Sequence, residues 1–300
     1  MEFIDSASLG KNNFLSYLLG IVVIIALFYL GNMFLLFDLK FSFPNESLEN
    51  LTQSKIVDLI GQTKFLFWLT VPFALVLVSI ILHVRKVHQR PILSLFTGKQ
   101  NFDCKRVFFS FFLLFGILLL SLLVQSWFTL DLHFQFDIKK FIPLLIISLL
   151  MLPLQTTCEE ILFRSYLMQG LKNRLKSNKA SVIISGIMFG AIHIGNPEIQ
   201  VIGYHILIYY IVVGIFLGLV AMYDNGLELS IGYHAANNIF GAIIVTNNWQ
   251  AFQTDALFID NSQPGMALDI LICILLVLPL IFFIFYKKYK WHSLKEKWNA

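Results

Sequence analysis

The sequence has 300 residues, of which 57% are hydrophobic and only 13% are charged, and its net charge is +4. Soluble domains are about half apolar and a quarter charged, so both this composition and the mean hydropathy of +0.75 argue against a soluble protein. The positive charge lies in loops and forms no basic helix, which excludes a nucleic-acid-binding surface and leaves membrane lipid as the expected surroundings.

Apolar runs long enough to cross a bilayer recur along the whole chain. A transmembrane helix needs about 20 mostly apolar residues. The first run is too long for the apolar part of a cleavable signal peptide and is expected to remain as a span. The prediction is an all-α fold, a polytopic membrane helix bundle of about eight transmembrane helices. They are placed at about 14–37, 65–84, 107–128, 141–161, 181–194, 201–223, 227–246 and 266–286.

Lysine and arginine residues are concentrated in every second loop. The loops after the second and fourth predicted spans and the C-terminal tail are basic, whereas residues 247–264 contain neither Lys nor Arg. Because cytoplasmic loops are enriched in these residues, we expect an integral, multi-pass protein of a bacterial cell membrane with both termini in the cytoplasm. No polar linker separates two cores, so residues 1–300 are predicted to form a single membrane domain.

Two pairs of glycines are spaced four residues apart within apolar runs. Gly186 and Gly190 form the first pair, and Gly214 and Gly218 form the second. Small residues at this spacing let two membrane helices approach closely. We interpret both pairs as helix-packing positions.

The first polar motif inside an apolar helix contains Glu159, Glu160 and Arg164. Adjacent side chains on a helix point about 100° apart, whereas residues four apart share a face. Glu160 is therefore expected to pair with Arg164, and Glu159 to point elsewhere without an obvious local partner. The alternative is a solvated helix end at the cytoplasmic boundary.

Two further motifs place polar residues within predicted spans. Phe189 and His193 lie four residues apart in a short, glycine-rich run, and His234 and Asn238 share one face of the seventh span. Charged and polar groups inside a membrane are expensive, so each needs a reason. The structural alternatives are a histidine bonded to a carbonyl group and a pair that joins two helices.

The remaining histidines are weaker candidates. Four of them are assigned to loops and are expected to be solvated, and the fifth is a secondary candidate inside the sixth predicted span. The loop residues are His83, His88, His133 and His292, and the secondary candidate is His205.

Glu159, His193, His234 and Asn238 together supply a carboxylate, two imidazoles and a carboxamide. This set could activate a water molecule and stabilise an oxyanion, as amide hydrolysis requires. It could equally hold a metal through Glu159, His193 and His234, with Zn²⁺ the possible ion. The sequence has neither the H-E-x-x-H motif of zinc proteases nor the G-x-S-x-G motif of serine hydrolases.

The three motifs, in this order, resemble those of the CAAX-protease and bacteriocin-processing family of intramembrane endopeptidases. The family pattern is E-E-x-x-x-R, then F-x-x-x-H, then H-x-x-x-N or D. The resemblance covers about residues 140–250, which we predict to form the catalytic core within the membrane domain.

The resemblance implies roles for these residues. Glu159 would be the general base assisted by His193, while His234 and Asn238 would stabilise the oxyanion. Supporting roles would fall to Glu160, Arg164 and Phe189, with Glu160 acting mainly through helix stability.

The resemblance also implies a peptide or membrane-protein substrate, and it leaves the need for a metal open. The family has been described both as metal-dependent and as metal-free. We prefer the mechanism without a cofactor because asparagine is a good hydrogen-bond donor and an uncommon zinc ligand.

Two alternatives keep the same polar residues without proteolysis. One is a catalytically silent membrane scaffold or bacteriocin immunity factor of the same fold. The other is a small transporter with an ion path through the polar residues. Transporters often contain two related halves, and this sequence shows no such repeat.

Overall fold

The computed structural model describes residues 1–47, 52–128, 131–262 and 270–300. The α-helices are α1 Phe14–Ser42, α2 Gln53–Ile60, α3 Gln62–Lys86, α4 Cys104–Ser126, α5 Ile138–Glu160, α6 Met168–Leu175, α7 Asn178–Ile192, α8 Glu198–Ile202, α9 Ile206–Asp224, α10 Glu228–Ile243, α11 Leu278–Tyr289 and α12 Leu294–Asn299. Shorter 3-10 helices are Phe3–Leu9, Ile92–Leu95 and His193–Gly195, and π-helical segments are Ile161–Leu167 and Cys273–Val277.

Seven helical segments among the described residues are long and apolar enough to cross a membrane, so the predicted polytopic helix bundle is confirmed. These spans are Phe14–Ser42, Gln62–Lys86, Cys104–Ser126, Ile138–Leu175, Asn178–Gly195, Ile206–Asp224 and Ile270–Tyr289. The predicted span at 201–223 starts too early, since α9 begins at Ile206. Residues 266–269 of the last predicted span lie outside the described residues.

The predicted span at 227–246 is the one of the eight that is not recovered as a membrane-length helix. It corresponds to α10, which has 16 residues and is therefore about 24 Å long, shorter than the ~30 Å hydrocarbon core. Thirteen of its residues are buried within the protein. Ser110 of α4 donates a hydrogen bond to the Leu229 carbonyl over 2.7 Å. Neighbouring helices, rather than lipid, therefore surround α10.

Side-chain caps determine where several spans begin. Asn13, Asp103, Asp137 and Ser177 each accept a hydrogen bond from a backbone N–H of the helix that follows. Such a cap satisfies one of the free N–H groups at a helix start. Three of these helices begin three residues before the apolar runs predicted at 107, 141 and 181 because their first turns are polar.

One continuous helical segment carries the first motif. Ile138–Leu175 has 38 residues, so it is about 57 Å long and extends beyond the hydrocarbon core. Its α-helical geometry changes to a π-helical turn directly after Glu160. Such turns are rare and are found frequently at functional sites.

Both chain termini lie at the same end of the bundle. Lys297 pairs with Glu2 over 3.2 Å, and the backbone N–H of Asn178 donates to the carbonyl oxygen of Ala300. Gln169 of α6 donates to the carbonyl of Phe3 over 2.9 Å. The N-terminal 3-10 helix and the C-terminal helix are thus packed against the same end of the membrane helices.

A small sheet lies at the other end. Its strands are β1 Leu132–Phe134, β2 Val245–Thr246 and β3 Phe258–Asp260, in the order β1-β3-β2. β1 pairs with β3 antiparallel and β2 pairs with β3 parallel. β2 and β3 lie on either side of Ala251 in the chain, so their pairing holds the segment around Ala251 near the end of α10.

The prediction that His88 is solvated is wrong. This side chain is 1% exposed, and its Nδ1 lies 2.6 Å from the Lys11 carbonyl oxygen. The Tyr166 hydroxyl lies 3.3 Å from Nε2. Burial lowers the pKa of His88 below its ordinary value. The loop after α3 folds into the bundle because its polar side chains find partners on other segments.

The two glycine pairs face each other where α7 crosses α9. A Cβ atom on Gly186 would lie 2.6 Å from the backbone nitrogen of Ile215, and one on Gly214 would lie 2.7 Å from the Gly186 carbonyl oxygen. Close backbone contact is therefore possible only without side chains at these positions. The interpretation of the pairs as packing positions is confirmed.

We expect Gly186→Ala to destabilise the protein, because the added methyl group meets backbone that cannot move aside independently. Overpacking of this kind costs about 1–3 kcal/mol. Thermal unfolding in detergent should show a melting temperature several degrees below that of the wild type. Gly116→Ala is the matched control, since no atom lies within 4 Å of a Cβ at Gly116. Equal melting temperatures for the two variants would contradict close packing of α7 against α9.

Candidate active site

The three motifs converge on one cavity of about 720 Å³. Glu159 reaches it from the end of α5, His193 from the turn after α7, and both His234 and Asn238 from α10. Glu159 is 6% exposed and His234 is 8% exposed. The structure therefore brings together all four residues that were predicted to be catalytic.

Glu160 lies between Arg164 and His234. Its Oε1 is 3.1 Å from Nη1 of Arg164 and 2.8 Å from Nδ1 of His234. The contact with Arg164 confirms the predicted pair. The contact with His234 was not predicted, and it gives Glu160 a second partner on α10.

The orientation of His234 follows from this contact. A carboxylate can only accept a hydrogen bond, so Nδ1 of His234 carries the proton. Nε2 then lies 3.5 Å from Oε2 of Glu159. His234 thus lies between Glu160 and Glu159.

Glu159 has a local partner that sequence reasoning missed. Gln155, one helical turn earlier, donates from Nε2 to Oε1 of Glu159 over 2.6 Å. Asn238 in turn donates to Oε1 of Gln155 over 2.9 Å. Oε2 of Glu159 is buried and has no hydrogen-bond partner. The i,i+4 spacing of Gln155 and Glu159 was the available signal for this contact.

His193 is fixed from two sides. Its Nδ1 lies 2.7 Å from the carbonyl oxygen of Phe189, so Nδ1 carries the proton and Nε2 retains a free lone pair. The ring of Tyr210 stacks on the imidazole with 4.1 Å between centroids and an angle of 19°. Tyr210 was not predicted, and no motif in the sequence pointed to it.

Phe189 supports the site through its aromatic ring. The guanidinium carbon of Arg164 lies 4.1 Å from the ring centroid, and the ring of His234 lies nearly perpendicular to the same ring, at 81° and 5.9 Å between centroids. A cation over an aromatic face is attracted to it, most strongly away from water. Phe189 thus contacts residues of the other two motifs.

Asn237 also lines the cavity and donates to Oδ1 of Asn238 over 3.1 Å. His205 is exposed just before α9 and is not one of the described residues that line the cavity, so this secondary candidate is not brought to the site.

The possible zinc ligands do not form a compact metal site in this arrangement. Among the described residues, no group of three His, Cys, Asp or Glu side chains is placed so that it could hold a metal ion. Oε1 of Glu159 instead accepts a hydrogen bond from Gln155, and Nδ1 of His234 contacts Glu160.

The fold and the site together define a multi-pass membrane protein with buried polar residues at one cavity. Residues 140–240 match the family described as type II CAAX prenyl endopeptidase Rce1-like. This segment contains all three motifs, so the resemblance predicted from them is confirmed over this part of the chain and supports a CAAX-protease-like fold.

A relative is similar to this protein over more of the chain. The protein named "Uncharacterized protein YyaK" of Bacillus subtilis (strain 168) is 28% identical over 246 residues. The matched region covers 79% of this chain and 80% of the relative. No solved structure matches this chain.

We predict that Glu160→Gln lowers the stability of the protein more than Glu159→Gln does. Both substitutions keep the shape of the side chain, but only the first leaves the fully buried Arg164 without its neighbouring countercharge. Breaking a buried ion pair by neutralising one partner costs about 3–5 kcal/mol. Thermal unfolding of both variants in detergent measures the difference, and equal melting temperatures would contradict the structural role of Glu160.

Proposed function

We propose that this protein is an intramembrane endopeptidase that hydrolyses a peptide bond with a water molecule activated by Glu159. A single observation supports this most strongly. Asn238, Gln155, Glu159, His234 and Glu160 form a continuous chain of close polar contacts beside a large cavity in an otherwise apolar bundle. Such a chain holds acid–base groups in fixed positions.

In this proposal Glu159 acts as the general base. Its Oε1 is held by Gln155, while Oε2 has no hydrogen-bond partner within the protein and can accept the proton of a water molecule. His193 assists through Nε2, whose lone pair is free because Nδ1 is bonded to Phe189. General-base catalysis requires the base to approach the proton that it removes within hydrogen-bond distance.

His234 and Asn238 would stabilise the oxyanion. His234 is held by Glu160 at Nδ1, and its Nε2 faces Glu159, where it would donate to the oxyanion when that atom carries a proton. Asn238 uses one amide N–H for Gln155 and keeps the second available as a donor. Donors fixed in advance are the usual means by which enzymes stabilise the charge of a tetrahedral intermediate.

Glu160, Arg164 and Phe189 would serve as positioning residues. Glu160 orients His234, Arg164 neutralises Glu160, and Phe189 packs against both Arg164 and His234. A carboxylate that fixes the tautomer of a catalytic histidine has the same role in serine proteases. No cofactor is needed for these steps.

The substrate would be a peptide or a segment of a membrane protein. One wall of the cavity is formed by apolar residues of α1 and α3, including Phe28, Phe73 and Val76. An extended apolar segment could contact this wall and present its backbone to Glu159. Apolar walls with a few polar groups that fix orientation are typical of ligand sites.

Glu159→Gln is expected to abolish cleavage while leaving the protein folded. Glutamine keeps the shape of the side chain but cannot take up the proton, and loss of a general base reduces rates by about 10²–10⁴-fold. The measurement is cleavage of an apolar, doubly labelled peptide by purified protein in detergent. Asn238→Ala should lose less activity, about 10²–10³-fold, as expected for one oxyanion donor.

A chelator serves as the control for the mechanism. Activity that disappears with chelator and returns with Zn²⁺ would favour the metal-dependent alternative, whereas unchanged activity supports the metal-free one. Near-normal cleavage by Glu159→Gln would overturn the assignment of the base. A wild-type protein without activity on any peptide would favour the scaffold or immunity alternative.

We also propose that the protein lies in a bacterial cell membrane with both termini in the cytoplasm. The shared end of the two termini and the basic loops support this orientation. In a variant without native cysteines, Lys11→Cys and Lys295→Cys should react with an impermeant maleimide only after cells are opened. Asp131→Cys, at the sheet end, should react in intact cells. The reverse pattern would contradict the orientation.

A further inference from the structure

A second carboxylate lies in the cavity outside the three motifs. Glu198 begins the short helix α8, is 8% exposed and lines the same cavity as Glu159 and His193. Its Oε1 accepts a hydrogen bond from the backbone N–H of Ala251 over 2.9 Å. Its Oε2 is buried and has no hydrogen-bond partner. One acceptor of Glu198 is therefore free although the side chain is held in place.

The cavity contains carboxylates that are not paired with a Lys or Arg among its described lining residues. Two glutamates, Glu159 and Glu198, are among its described lining residues, which include neither Lys nor Arg. Burial raises the pKa of Glu198, because a carboxylate away from water loses its solvation. A cation placed beside it would reverse this effect and stabilise the ionised form.

Glu198 is also separate from the chain of contacts that surrounds Glu159. It lies on the loop between α7 and α9, and the segment that contacts it, around Ala251, follows α10 and continues into the small sheet. No hydrogen bond joins Glu198 to that chain among the described residues, so it is available to a substrate residue other than the one at the cleaved bond. A buried acceptor without a partner in the protein can accept a hydrogen bond from a ligand.

We propose that Glu198 is a specificity-determining residue that binds the cationic side chain of a Lys or Arg in an otherwise apolar substrate segment. The inference rests on the proposed peptidase function and adds the substrate class to it. The ammonium or guanidinium group would donate to Oε2, while Oε1 keeps its bond to Ala251. A charge-assisted hydrogen bond away from water is stronger than a neutral one.

The test is a binding measurement that does not depend on cleavage. A series of apolar fluorescent peptides, acetylated and amidated at their ends, contains a single Lys at successive positions, each with a norleucine partner. Fluorescence anisotropy with the Glu159→Gln protein in non-ionic detergent should show one position at which Lys binds about tenfold tighter than norleucine. Glu198→Gln, added to the same protein, should remove this preference and leave norleucine binding unchanged, because the amide oxygen can still accept from Ala251.

Glu46→Gln is the matched control, since Glu46 pairs with Lys55, is about half exposed and is not among the described residues that line the cavity. This variant should keep the preference for Lys. Equal Lys and norleucine affinities in the parent protein, or a preference that survives Glu198→Gln, would overturn the proposal. A preference that depends on Glu198 in a protein whose wild type cleaves no peptide would instead overturn the peptidase function and leave the cation site standing.

Discussion

The contact on which the site depends is the buried carboxylate of Glu160 between Arg164 and His234. Both Glu160 and Arg164 are fully buried, so neither charge can be solvated by water. Removing a charged group from water costs several kcal/mol, and only close opposite charges and hydrogen bonds offset this. Glu160 therefore joins α5 to α10 at a defined distance and fixes the ring of His234. The positions of Glu159, Gln155 and Asn238 follow, because they occupy neighbouring turns of the same two helices.

Hydropathy predicts most of this fold because insertion into a bilayer depends on local composition. Runs of apolar residues identified the seven membrane-length segments, but several of their ends were misplaced, among them the capped, polar first turns and the start of α9. α10 was assigned to lipid because its average composition is apolar, although its burial depends on α4 and α5. Composition cannot distinguish a helix enclosed by protein from one enclosed by lipid when both surroundings are apolar.

The contacts within the site were also predicted only in part. Pairs four residues apart on one helix, such as Glu160 and Arg164, follow from helical geometry. The contact between Glu160 and His234 joins residues 74 positions apart, and no local rule could supply it. The stacking of Tyr210 on His193 and the burial of His88 could not be predicted for the same reason, because each depends on which segments become neighbours. The order of the motifs indicated the family resemblance, whereas the contacts between the motifs required the three-dimensional arrangement.

The enclosure of α10 has a consequence for the biosynthesis of the protein. A 16-residue segment that contains Glu228, His234 and two asparagines is a poor substrate for direct partition into lipid. The helices that cover it, α4 and α5, precede it in the chain and leave the ribosome first. The helices that pack against α10 are thus synthesised before it. The partners of its polar residues also precede it in the chain, since Glu228 pairs with Lys99 and His234 contacts Glu160.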